Sequence, residues 1–130
     1  MRKKPTLLSL IVLGSVFAGA FLQHASNGLA QDTPRAFLAS PEIYKVIGET
    51  GHYRVIAASW KPGERDHWHS RASAGVLYLT DCRLRRFSPD GTSREAQTAA
   101  GTRGVNEAVS SQSLQNVGTS QCRLVLIEEK

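Results

Sequence analysis

Apolar and polar residues alternate along several short stretches of this chain, which is the pattern expected of half-buried β-strands. Residues 43–50, IYKVIGET, alternate in this way. Residues 52–60, HYRVIAASW, are rich in β-branched and aromatic side chains and predict a second strand. Lys61, Pro62 and Gly63 would end it, because proline cannot donate a ladder hydrogen bond and glycine favours turns.

The pattern predicts further strands towards the end of the chain. Residues 75–82, GVLYLTDC, form a mostly apolar run, as expected of a strand buried on both faces. Residues 83–87, RLRRF, continue it, and Ser88-Pro89-Asp90-Gly91 is a strong hairpin signal. Two last strands, SLQNVG and CRLVLIEEK, would meet near Gly118 and Thr119. Without any sustained helical stripe after residue 30, the sequence predicts an all-β sandwich or barrel.

The first thirty residues have the order of a secretory signal. A basic start at residues 2–4 precedes an apolar run at residues 7–22, and small residues stand at Gly28 and Ala30. We therefore expect a signal-peptide helix over 1–30, a loose arm over 31–40 and a folded domain over 41–130. An uncleaved membrane anchor is the alternative, for which the apolar run is short. Cleavage would leave no stable membrane anchor and a periplasmic or secreted protein.

Charge gives little support for a nucleic-acid partner. The net charge is +5, but the signal holds three of the sixteen Lys and Arg and none of the eleven acids. The mature chain would carry 13 basic and 11 acidic residues, or 13 − 11 = +2. The basic cluster of Arg83, Arg85, Arg86 and Arg94 is interpreted as a solvated strand face, because no aromatic residues are interleaved with it. We expect no nucleic-acid binding.

Two spaced patterns in the folded part resemble the motifs of small cupins. The first cupin motif reads Gly, five residues, His, one residue, His, three or four residues, Glu, six residues, Gly. Here Gly63 is followed at that spacing by His69. The second histidine position falls on Arg71, and the glutamate position falls on Gly75 or Val76.

The second cupin motif reads Gly, five residues, Pro, one residue, Gly, two residues, His, three residues, Asn. Counting from Gly101, its proline position is Glu107 and its second glycine position is Val109. The histidine position is Gln112, and Asn116 matches the final asparagine. The spacing is kept, while most of the metal-binding residue types are not.

The resemblance implies an all-β, cupin-type jelly-roll barrel, also called a double-stranded β-helix, over 41–130. In that family three imidazoles and a carboxylate hold a transition metal. Here the candidate metal ligands are His67, His69, Gln112 and, less directly, His52. His67 and His69 lie two apart, so on an extended segment they would point to the same side. Arg71 would point there too, and its positive charge opposes a divalent ion.

Two interpretations of this set remain open. In the first, His67, His69, Arg71 and Gln112 line a barrel mouth that binds a small molecule without a cofactor, and the charge of Arg71 favours an anion. In the second, His67 and His69 form a reduced site for a divalent transition metal in a dioxygenase- or isomerase-type enzyme, with Glu64 or Asp66 assisting. Whether the protein is an enzyme stays open.

Other functional classes have weaker signals. A structural or partner-binding module has no specific patch in the sequence, and a homodimer is implied by the resemblance alone. Ser70, Asp66 and His67 contain the residue types of a hydrolase triad, but no Gly-x-Ser-x-Gly elbow accompanies them.

Cys82 and Cys122 are the only two cysteines in the chain. An even count in an exported protein favours a disulfide, with two buried free thiols as the alternative. In the cupin jelly roll, the strand after the first motif pairs with the last strand, and the resemblance therefore implies that Cys82 and Cys122 lie opposite one another and are bonded.

We predict that the exported protein begins at Gln31. The intact mass and N-terminal sequence of protein recovered from the periplasm or medium of cells expressing the full chain would check this. Recovery of an intact Met1 terminus in the membrane fraction would instead support the anchor.

Overall fold

The computed structural model describes residues 33–130, and the predicted signal peptide lies outside these residues. One short helix and nine strands follow in chain order: α1 Ala36–Ala39, β1 Tyr44–Glu49, β2 Tyr53–Trp60, β3 His69–Arg71, β4 Ala74–Tyr78, β5 Cys82–Phe87, β6 Ser93–Thr98, β7 Arg103–Asn106, β8 Val109–Asn116 and β9 Cys122–Glu129. Within 33–130, no helix is long and apolar enough to cross a membrane.

The strands form two antiparallel sheets that pack face to face. One sheet has five strands in the order β1-β2-β9-β4-β7, and the other has four in the order β3-β8-β5-β6. Strands distant in sequence are therefore neighbours in space, as in a jelly roll. The all-β jelly-roll prediction is confirmed.

The core lies between the sheets and follows the two-residue period of the strands. Along β9, Cys122, Leu124 and Leu126 point inward and are buried, while the residues between them point outward. Ile56 and Trp60 extend this buried layer on β2, which pairs with β9 along its full length.

Two strand predictions differ from the structure in their burial. The strand predicted at 75–82 was expected to be buried on both faces, but β4 ends at Tyr78, and Leu77 and Leu79 are exposed. In β1 the alternation is broken by a bulge between Val46 and Gly48. Ile47 lies in this bulge and is exposed instead of joining a buried face.

The segment at 31–40 was expected to be a loose arm, and the structure differs from this in its second half. Residues 36–39 form α1, and Ala36 and Ser40 are buried. Ser40 accepts a hydrogen bond from the His67 amide at 2.9 Å, and the backbone of Arg35 forms a bridge with Ser70 in β3. These contacts hold residues 35–40 against β3 and the residue His67 that precedes it.

Cys82 and Cys122 form the disulfide, so the bonding prediction is confirmed and the free-thiol alternative is wrong. The expected strand pairing is present, because β4 pairs antiparallel with β9. However, Cys82 begins β5 in the four-stranded sheet, while Cys122 begins β9 in the five-stranded sheet. The bond therefore joins the two sheets across the core.

We predict that the double substitution Cys82→Ala/Cys122→Ala lowers the free energy of unfolding by up to about 4 kcal/mol. The bond closes a segment with a sequence separation of 40, and a loop of that length has about this much closure entropy. Urea unfolding of both proteins, with and without dithiothreitol, would measure the difference. Reductant should bring the wild type to the variant's stability and leave the variant unchanged; equal stability of all samples would contradict the prediction.

Candidate functional site

The two sheets enclose a cavity of about 400 Å³, which is within the range of small-molecule sites. The five-stranded sheet supplies a mostly apolar wall to this cavity. The main contributors to this wall are Ile56, Trp60, Val76, Tyr78, Leu124 and Leu126. This side of the cavity can therefore accept an apolar group.

The four-stranded sheet supplies the polar wall of the same cavity. His69 and Arg71 lie on β3, and Gln112 lies on β8. Arg86 on β5 and Arg94 on β6 are exposed cross-strand partners that line the rim. Like charges directly opposite each other repel, so this wall is biased towards binding an anion.

His69 and Gln112 are cross-strand partners, each only 1% exposed. The Nδ1 atom of His69 lies 2.9 Å from the His67 carbonyl oxygen. Because a carbonyl oxygen can only accept a hydrogen bond, Nδ1 carries the proton and donates it. The Nε2 atom of His69 lies 3.4 Å from the side-chain nitrogen of Gln112. The structure thus brings His69, Arg71 and Gln112 to one cavity.

His67 does not join them. Its side chain is exposed and is not part of the cavity lining. The expectation that His67 and His69 point to the same side fails because β3 begins only at His69, so the residues before it do not follow strand alternation. His52, the remaining histidine candidate, is exposed in the connection between β1 and β2.

Asp66 is a buried carboxylate directly behind His69. Its Oδ2 accepts a hydrogen bond from the Tyr44 hydroxyl at 2.6 Å, and its Oδ1 accepts one from the Leu114 amide at 2.6 Å. Oδ1 also lies 3.6 Å from Nδ1 of His69. Burial raises the pKa of Asp66, and these three neighbours offset part of that rise.

Tyr44 connects this carboxylate to the aromatic part of the cavity. Its ring contacts His69 and Trp60 edge to face, with centroid distances of 5.4 Å and 5.3 Å. Burial, followed by the nearby Asp66 charge, raises the pKa of Tyr44 well above its ordinary value. The hydroxyl therefore stays protonated and donates to Asp66.

Arg71 is the half-buried cation of the polar wall. One terminal nitrogen donates to the Glu107 carbonyl oxygen at 2.7 Å, while its Nε is buried and has no hydrogen-bond partner within 33–130. The Oε1 atom of Gln112 is in the same situation. Burial, and then the positive charge of Arg86, lowers the pKa of Arg71.

The carboxylates around the cavity already have other partners. Glu128 is buried and pairs with Arg35 at 3.0 Å and Arg54 at 3.6 Å. Glu95 at the rim pairs with Arg83 and Arg85. Among the described residues, Arg71 forms no ion pair with a carboxylate, and the same is true of Arg86 and Arg94 at the rim.

Comparison with solved structures places this architecture in a known fold. A cupin domain from Bordetella pertussis Tohama I superposes with a TM-score of 0.62 at 22% identity, covering 78% of this chain and 99% of that one. An RmlC-like cupin family protein with a double-stranded β-helix fold from Methanocaldococcus jannaschii gives a TM-score of 0.55 at 10% identity, covering 67% and 78%. This chain has the cupin fold.

A third similar structure supports the same cupin assignment. An uncharacterised protein with a double-stranded β-helix domain from Klebsiella pneumoniae gives a TM-score of 0.53 at 16% identity, covering 65% of this chain and 73% of that one. No family model matches the sequence, and no curated protein matches it. At these identities the likeness establishes the cupin fold and carries no information about activity.

The usual metal centre of the cupin fold does not fit the residues present. Of the motif positions, His69 is an imidazole, whereas Gln112 offers an amide, Arg71 a cation and Val76 a hydrocarbon. Within 33–130, no group of three His, Cys, Asp or Glu side chains converges on a point. Such a donor set is poor for a transition ion.

Motif counting missed several of the cavity residues. The interpretation as a solvated face fits Arg83 and Arg85, which pair with Glu95, but not Arg86 and Arg94, which line the cavity rim. Strand alternation could have identified Arg86, because Leu84 and Arg86 lie two residues apart on β5 and both face the cavity. Tyr44 and Glu128 gave no comparable signal, since no motif position falls on them. Asp66 was predicted only as an assisting metal ligand, whereas in the structure it is buried behind His69.

We predict that Asp66 makes the protein less stable as pH rises through its raised pKa. The folded state binds this proton more tightly than the unfolded chain, so the stabilisation is fully present below the ordinary pKa of about 3.9 and is lost as the pH rises through the raised pKa. Asp66→Asn should remove this dependence. Unfolding free energies of both proteins across the acid range would check it; a wild-type advantage that grows with pH would indicate a lowered pKa instead.

Proposed function

We propose that this protein is exported and binds a small anionic molecule, a carboxylate with an apolar body, in the cavity between its sheets, without metal-dependent catalysis. The observation that carries the proposal is Arg71, a half-buried cation in a mostly apolar cavity that has no carboxylate partner within 33–130. A charged group in such a place is costly unless it is paired.

The hydrogen-bonding capacity of the polar wall supports an anion. The guanidinium of Arg71 is a planar fork suited to a carboxylate, and its buried Nε has no partner in the described chain. The buried atom of Gln112 that is unpartnered within 33–130 is Oε1, an acceptor, which suits a hydroxyl or N–H group of the ligand and not its carboxylate. Arg86 and Arg94 at the rim would attract an anion to the entrance.

The opposite wall supports an apolar body for the ligand. The cavity holds about 400 Å³, which is more than a carboxylate alone requires. Leucine, isoleucine and aromatic side chains of the five-stranded sheet face the arginines across this space. Such a division into one cationic and one apolar wall favours an amphipathic acid over a small inorganic anion.

The disulfide supports export, because such bonds persist in oxidising compartments. Cys82 and Cys122 are bonded, and the predicted signal peptide precedes the folded domain. The expected location is the periplasm or the cell exterior.

Calorimetric titration with aliphatic and aromatic monocarboxylates, each beside its neutral amide, tests the proposed function. At least one acid should bind more tightly than its amide, because only the acid carries the charge that Arg71 recognises. Arg71→Ala should weaken that acid about 10- to 100-fold, the worth of a charge-assisted hydrogen bond of about 1.5–3 kcal/mol. Binding of the amide should change little.

Arg103→Ala is the matched control, since Arg103 is an exposed arginine on β7 that does not line the cavity and should leave acid binding unchanged. Thermal unfolding of each variant would show that the fold is retained. If no acid of the panel binds, or if binding does not depend on Arg71, the proposed function is wrong.

A further inference from the structure

The polar wall of the cavity holds two buried atoms of opposite hydrogen-bonding type. Nε of Arg71 can only donate, Oε1 of Gln112 can only accept, and neither atom has a partner within 33–130. A carboxylate satisfies the donor but has nothing to give to the acceptor. Because Gln112 is only 1% exposed, leaving its acceptor without a donor is costly. A plain carboxylate ligand would therefore leave this cost in place.

His69 fixes which end of the Gln112 amide is presented. Nδ1 of His69 donates to the His67 carbonyl oxygen, so Nε2 of the neutral imidazole is an acceptor. This Nε2 lies 3.4 Å from the side-chain nitrogen of Gln112. Turning the amide over would place its oxygen against a second acceptor and break the contact. The amide therefore gives its nitrogen to His69 and presents Oε1 as an acceptor in the cavity wall.

A hydroxyl group supplies the required donor better than an ammonium group does. A hydroxyl both donates and accepts, so it can donate to Gln112 while its oxygen accepts from the guanidinium of Arg71. An ammonium group carries a positive charge, which Arg71 repels. Glu128, a carboxylate that lines the cavity, is already paired with Arg35 and Arg54 and offers little compensation.

The position of the hydroxyl follows from sharing one guanidinium. If the carboxylate and the hydroxyl oxygen both accept from Arg71, the hydroxyl must be bonded to the carbon next to the carboxylate. We propose that the ligand of this cavity is an α-hydroxy acid with an apolar body. Its carboxylate pairs with Arg71, its hydroxyl donates to Oε1 of Gln112, and its body packs against the five-stranded sheet. The inference rests on the proposed function, because it requires an acid that Arg71 binds.

The same arrangement predicts a choice between enantiomers. The charge contact and the hydroxyl contact lie on the polar wall, while the apolar contact lies on the opposite wall, which includes Leu124 and Leu126. Exchanging the hydrogen and the hydroxyl on the α-carbon would turn the hydroxyl away from Gln112 while the other two contacts are kept. One enantiomer should therefore bind more tightly than the other.

Calorimetric titration with acids that share a carbon skeleton tests the proposal. The aromatic series is hydrocinnamate, the two enantiomers of phenyllactate, and phenylalanine. The aliphatic series is isocaproate, the two enantiomers of α-hydroxyisocaproate, and leucine. In at least one series, one hydroxy enantiomer should bind at least ~5-fold more tightly than both its mirror image and the parent acid. The amino acid should bind more weakly than the parent acid.

Gln112→Met tests the acceptor, because it removes the amide and keeps the length of the side chain. The preferred hydroxy acid should fall to within ~2-fold of the parent acid and of its mirror image, while the parent acid keeps its affinity. Gln97→Met is the matched control, since Gln97 is an exposed glutamine on β6 that does not line the cavity. It should leave every affinity unchanged.

The wild-type comparison decides the proposal by itself if Gln112→Met does not fold, which thermal unfolding would show. Arg71-dependent binding with equal affinity for parent acid and both hydroxy enantiomers would overturn the inference and leave the proposed function standing. A hydroxyl advantage that persists in Gln112→Met would overturn the assignment of Gln112 as its acceptor. If no acid binds at all, the proposed function fails and this inference fails with it.

Discussion

The site depends on the contacts of one buried carboxylate, that of Asp66. It accepts hydrogen bonds from the Tyr44 hydroxyl on β1 and from the Leu114 amide on β8, which belong to different sheets. The same carboxylate lies 3.6 Å from Nδ1 of His69. One side chain therefore ties the two sheets together at the back of the cavity and fixes the imidazole at its wall. A buried charge without such partners would be strongly destabilising.

The cavity is cationic because the carboxylates near it are paired with groups other than Arg71. Glu128 reaches the lining but is held by Arg35 and Arg54, and Asp66 is turned towards Tyr44 and the backbone of β8. Arg71 is thereby left with a carbonyl oxygen as its polar partner. In a metal-binding cupin site a cation at this position would oppose the ion, whereas here it gives the cavity its positive charge.

Sequence reasoning found the fold and the centre of the site because both depend on local spacing. Counting from Gly63 and from Gly101 selected His69 and Gln112, and these are cross-strand partners in the structure. The prediction for His67 failed because it assumed an extended backbone before β3. Glu128 and the buried state of Asp66 depend on contacts between distant strands, which no local pattern records. The disulfide was predicted correctly, although the strand assignment of Cys82 was not, since a turn after Tyr78 moves it into the other sheet.

The strict alternation along β9 has a consequence for how this protein can change. Leu124, Leu126 and Glu128 point to the cavity, while Val125 and Ile127 point outward. Substitutions at even and odd positions of this strand should therefore affect different properties and can accumulate separately. An insertion or deletion of one residue within the strand would exchange the two sets at once. The length of β9 is thus far more constrained than the identity of any single side chain in it.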